Sequence, residues 1–129
     1  MMTVDRDAPY RQLTGAIRQA RSWLDAIPAA RERLALLIRV RRAIAIATDA
    51  AALLAFPPES RLEQEVAFVK LRLAAALADV EQLIDEARAQ QGLGLVGRAR
   101  HELSAALGAV DRLRRAAGSH DVSCSTTPW

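Results

Sequence analysis

Apolar residues recur along this chain in steps of three and four, the spacing that lines one face of an α-helix. The first such stripe is Tyr10, Leu13, Ile17, Ala20, Leu24 and Ile27. Asp7 stands where an N-cap would, and Pro9 is tolerated in a first helical turn. Pro28 then interrupts the pattern, because it lacks an N–H and biases Ile27 away from the α region. A kink and a tight turn both satisfy that break; the turn is favoured, with Asp25 as a candidate cap. A second helix is predicted over roughly Ala29–Ala55. Its first half is basic, while Ala43, Ile44, Ile46, Ala47, Ala51, Leu53 and Leu54 make its second half apolar nearly all round. A helix of that kind is central in its bundle or covered by another subunit. Phe56-Pro57-Pro58 ends it.

Ser60 and Glu63 have the spacing of a capping box. They open a long third helix whose stripe is Leu62, Val66, Val69, Leu73, Ala76, Val80, Leu83 and Ala87, a sustained heptad seam. Phe68, Leu71, Leu77 and Ile84 widen its apolar surface. A glycine-rich break from Gln91 to Gly97 follows. The fourth helix then carries Val96, Ala99, Leu103, Ala106, Val110, Leu113 and Ala117, with Gly118 as a candidate C′ residue. Ser119–Trp129 has no period and reads as a flexible tail.

These elements predict an all-α fold: an antiparallel four-helix bundle with two long central helices. Residues 1–7 form an N-terminal extension, 8–118 the bundle and 119–129 the tail. The predicted helices have roughly 19, 27, 31 and 22 residues, so the middle pair should project past its neighbours.

Composition narrows this picture. Half of the 129 residues are hydrophobic but only 4% are aromatic, so one modest core must be built from Ala, Leu, Val and Ile. The one cysteine, Cys124, forms no intrachain disulfide, which fits a reducing compartment. The N-terminus lacks the apolar core of a signal peptide, and the apolar stretch Ala43–Phe56 is too short to span a bilayer. A cytoplasmic protein without membrane contact is the expectation. Charge is uneven: residues 1–42 carry nine Arg against four acids, 43–87 three bases against eight acids, and 88–129 six Arg against three acids. Packing of an acidic helix between basic ones accounts for that alternation.

Specific chemistry is sparse. Gly92, Gly94 and Gly97 match G-x-G-x-x-G, but the motif follows a helix rather than a strand and reads as an interhelical loop. His101-Glu102-Leu103, continuing to Val110, resembles the H-box of histidine-kinase dimerisation domains over ten residues. That resemblance implies phosphotransfer through His101, with Glu102 assisting proton removal. The basic residue, the Asn/Thr and the proline of the family are Ser104, Ala105 and Ala106 here. Arg115 and His120 have the R-x4-H spacing of the HEPN ribonucleases, which implies acid-base cleavage of RNA. Asp79, Glu81, Asp85 and Glu86 lack the histidine partners of a di-iron bundle, so no metal or other cofactor is expected.

The functional expectation is a non-enzymatic interaction protein that self-associates or docks into a larger assembly. Its candidate contact surface is Ile44, Ile46, Leu53, Leu54 and Phe56. The alternative is a small basic subunit that contacts nucleic-acid backbone through Arg31, Arg39 and Arg42. A phosphotransfer module using His101 and Glu102 is a third reading.

Overall fold

The computed structural model describes residues 7–27, 32–88 and 95–126, with 118–126 described by their backbone alone. Four helices make up the fold: α1 (Ala8–Ala26), α2 (Arg33–Ala52), α3 (Arg61–Arg88) and α4 (Val96–Thr126). There is no strand among the described residues. Each helix packs on its neighbours in chain order, and α4 closes the ring against α1. The diagonal pairs α1/α3 and α2/α4 make no close backbone approach. This is a four-helix bundle. No helix among the described residues is long and apolar enough to cross a membrane.

The stripes read from the sequence are the faces that pack. Leu13, Ile17, Ala20, Leu24 and Ile27 of α1 are fully buried, with Tyr10 nearly so. In α3, Val66, Val69, Leu73, Ala76, Val80 and Leu83 form the buried seam, while Leu62 and Ala87 pack at its two ends. In α4, Ala99, Leu103, Ala106, Val110 and Leu113 are buried, joined by Ala109. Ion pairs fix the helix senses. Glu65, early in α3, meets Arg112, late in α4, and Asp79, late in α3, meets Arg98, early in α4. In the same way Asp7 and Asp25 at the two ends of α1 meet Arg114 and Arg100 of α4. Both pairs of helices therefore run antiparallel.

The helix starts obey local chemistry, with two departures from expectation. Ser60 Oγ accepts from the Glu63 N–H at 3.1 Å, as the capping box predicts. The Glu63 carboxylate reaches back one residue further, to the Glu59 N–H. Glu59 sits at φ 64, in the left-handed region that a side chain rarely adopts. Asp7 makes no side-chain cap on α1; its carbonyl accepts from Arg11 and its carboxylate faces Arg114. Asp25 pairs with Arg100 at 2.6 Å and caps no N–H among the described residues. Both carboxylates are exposed and lie next to a guanidinium of α4, which outbids a backbone N–H for the negative charge. Pro28 lies outside the described residues.

Helix lengths differ from expectation, and the difference matters. The long pair is α3 and α4, with 28 and 31 residues, while α1 and α2 have 19 and 20. α2 stops at Ala52 because the N–H groups of Leu53 and Leu54 turn back to Ala50 and Ala51, tightening the last turn ahead of Pro57. α4 runs through Gly118 to Thr126 instead of ending there. A single glycine costs a helix interior only about 1 kcal/mol, too little to force an end. The length mismatch therefore falls on α3 and α4, not on α2 and α3.

Leu73 is fully enclosed at the middle of the α3 seam. Leu73→Ala should lower unfolding stability by about 2–5 kcal/mol in urea titration. A loss below about 1 kcal/mol would show that the site collapses onto the smaller side chain, against close packing there.

Candidate docking groove

Sequence spacing builds one concave surface outside the core. On α1, Arg11, Gly15, Gln19 and Trp23 follow one another in steps of four, and Gln12 and Ala16 lie beside them. On α2, Arg39, Arg42 and Ile46 stack in steps of three and four. Residues so spaced share a helix face. These two faces line a groove of about 570 Å³ between α1 and α2, a size typical of ligand pockets. Its floor is small and apolar, formed by Gly15, Ala16, Ala43 and Ile46. Three guanidinium groups and two glutamines surround it, Trp23 stands at one end, and no carboxylate lines it. Arg39 and Arg42 are exposed and form no ion pair with any described residue.

Gly15 is informative. It lies mid-helix, where glycine is unfavourable, yet a Cβ added there would meet nothing within 4 Å. Packing within the chain does not require glycine here. The missing side chain keeps the groove deep.

The predicted contact surface comes apart in the structure. Ile44 is 0% exposed and Leu54 only 8%, so both belong to the core of the single chain. Phe56 is half-buried against that core and lines a smaller cavity of about 180 Å³ by the start of α3. Only Ile46 (41%) and Leu53 (67%) are open to water. An apolar run on all sides of a short helix is absorbed by two flanking helices, α1 and α3, which the sequence pattern alone did not weigh. Of the predicted arginine face, Arg39 and Arg42 fall together in the groove, and Arg31 lies outside the described residues. Leu71, expected to widen the α3 core face, is 66% exposed instead.

The histidine motif is divided between solvent and interior. His101 is exposed. Glu102, one residue on, turns between α3 and α4, where Arg72 donates to its Oε2 at 3.1 Å. The Arg72 guanidinium also lies 4.9 Å over the Phe68 ring. The acid that phosphotransfer would need is thus held by another helix. Gly92 and Gly94 lie outside the described residues, and Gly97 sits in the first turn of α4. Arg115 is exposed, while the His120 side chain is not among those described.

Asp79 is the other buried acid of the α3–α4 seam. Its Oδ2 lies 3.6 Å from Arg98 Nε, within ion-pair range but without a hydrogen bond. Burial pushes its carboxyl above the ordinary 3.8; Arg98 pulls it down and Glu102 adds a smaller upward push. A raised folded value means that protonation favours the folded state. The contribution of Asp79 to stability is therefore fullest below its unfolded pKa and is lost as pH rises through the raised value. Asp79→Asn should leave stability at pH 7 equal or higher and flatten the gain on acidification, in urea melts at acid and neutral pH. A drop beyond about 1 kcal/mol at pH 7 would mean that the Arg98 pair outweighs the cost of burial, since pairs with an exposed partner seldom exceed that.

No family model matches the sequence, and neither a curated protein nor a solved structure resembles it.

Proposed function

We propose that this chain is a non-enzymatic docking module of the cytoplasm, and that its α1–α2 groove receives an acidic, apolar-faced helix of a protein partner. The groove itself carries the reading: an apolar floor bordered by Arg11, Arg39 and Arg42, with no carboxylate in its lining. An amphipathic helix lays its apolar face into such a groove, and acids on its flanks meet the guanidinium groups. Trp23 and the arginines are residue types that dominate binding energy at interfaces.

A second reading rests on the exposed, ion-pair-free Arg39 and Arg42, which suit phosphates as well as carboxylates. The groove favours the first reading, because nucleic-acid backbone has no use for its apolar floor.

Gly15→Leu separates binding from folding. Leucine is the better helix former, so the variant should be more stable by about 0.5–1 kcal/mol while filling the groove. Calorimetric titration with an acidic amphipathic helical peptide should show saturable binding to the parent. The affinity should fall more than about tenfold in Gly15→Leu, and the double variant Arg39→Ala, Arg42→Ala should lose most of its salt dependence. Unchanged peptide affinity in Gly15→Leu would refute the groove. Binding to duplex DNA or RNA, but not to the peptide, would hand the function to the second reading.

A further inference from the structure

One helix with the chemistry that the groove requires is present in the chain itself. The outer face of α3 carries Ala67, Leu71, Ala74, Ala78, Glu81 and Asp85 in steps of three and four, and all six are exposed. Ala67 to Ala78 form a narrow apolar stripe with Leu71 as its one large side chain, and the stripe runs directly into two acids. Leu71 is among the few large apolar residues that the fold leaves in water, with Ile46 and Leu53 of α2. None of the three is covered by the chain's own helices.

Resting on the groove reading above, we propose that the partner is a second copy of this chain, whose α3 outer face docks antiparallel onto α2 and into the α1–α2 groove. The order of residues sets the direction. Along this face the basic pair Arg39 and Arg42 comes first, and Ile46 and then Leu53, just past the end of α2, follow, with the exposed Asp49 between them. Along α3 the apolar Leu71 and Ala78 come first and the acidic Glu81 and Asp85 follow. The antiparallel alignment places acid on arginine and sets Ile46 and Leu53 against the apolar α3 positions, with Asp49 facing the small alanines between them.

The spacing agrees as well. Arg39 to Leu53 covers the same number of residues as Leu71 to Asp85. In one register Arg39 therefore meets Asp85, Ile46 meets Ala78 and Leu53 meets Leu71, with Glu81 beside Arg42. The alanines suit this role: a helix faced with small side chains approaches closely and reaches the floor that Gly15 leaves open. Glu81 and Asp85 form no ion pair within the chain among the described residues, and neither do Arg39 and Arg42. The charged ends of the two surfaces form no ion pair with their own chain's described residues and are opposite in sign.

Charge reversal tests this on the whole protein by sedimentation velocity over a range of concentrations, with helix content checked by circular dichroism. The parent should self-associate, and more weakly as salt rises. Arg39→Glu with Arg42→Glu, and separately Glu81→Arg with Asp85→Arg, should each weaken association by more than about tenfold. An equimolar mixture of the two variants should regain it, because each supplies the surface that the other has lost. A parent that stays monomeric at the highest soluble concentration would overturn the proposal, and so would variants that fail to complement. If the parent is monomeric but binds the acidic peptide, self-docking fails while the groove reading stands; if neither occurs, both fail.

Discussion

Everything in this molecule depends on how closely alanine lets its helices approach. Among the described residues, only Tyr10 of the buried core is aromatic and nine are alanine, while Trp23, Phe56 and Phe68 pack partly buried at its edge. Ala43, Ala47, Ala50 and Ala51 put a nearly smooth face of α2 against its neighbours, and Ala99, Ala106 and Ala109 do the same for α4. Larger branched residues, such as Leu37, Leu73 and Leu103, fill the remaining space at full burial. Alternation of large and small side chains lets facing layers interdigitate at interior density.

Charge is then divided unequally around that ring. Four arginines of α4 are drawn into cross-links: Arg98 with Asp79, Arg112 with Glu65, and Arg100 and Arg114 with the two ends of α1. Each of these pairs has an exposed arginine and is worth at most about 1 kcal/mol. Arg39 and Arg42 of α2, by contrast, form no ion pair among the described residues. The groove they border with α1 therefore keeps its positive character, and acids at the far end of α3 keep theirs. Opposite charges are thus separated onto two faces of the bundle, and the proposed association draws on both.

Much of the fold was legible because it follows from helix periodicity. The stripes of α1, α3 and α4 are core faces, and Ser60 caps the Glu63 N–H while the Glu63 carboxylate reaches back to Glu59. What the sequence concealed was the assignment of flanks. In α2 both sides of the helix are apolar, so period alone did not say that Ile44 and Leu54 point inward and Ile46 and Leu53 outward. That choice is made by α1 and α3 packing on either side, a tertiary effect. The groove was half legible: Arg39 and Arg42 stood out as a face, but their counterpart on α1 was hidden among ordinary polar positions. Gly15 was the available signal, a glycine in the middle of a well-patterned helix with no turn to explain it. Glu102 was misread for a related reason, since the motif described its neighbour His101 and not the Arg72 that waits on α3.

The most direct test of the groove as the docking site uses its own indole. The chain has two tryptophans, and Trp129→Phe leaves Trp23, at the end of the groove, as the only one. Fluorescence of that variant, titrated with an acidic helical peptide carrying one apolar face, should change in emission maximum and saturate, and the change should reverse when salt is added. Emission that stays flat across the titration, while the peptide is independently shown to bind the protein, would place the contact elsewhere and contradict the account.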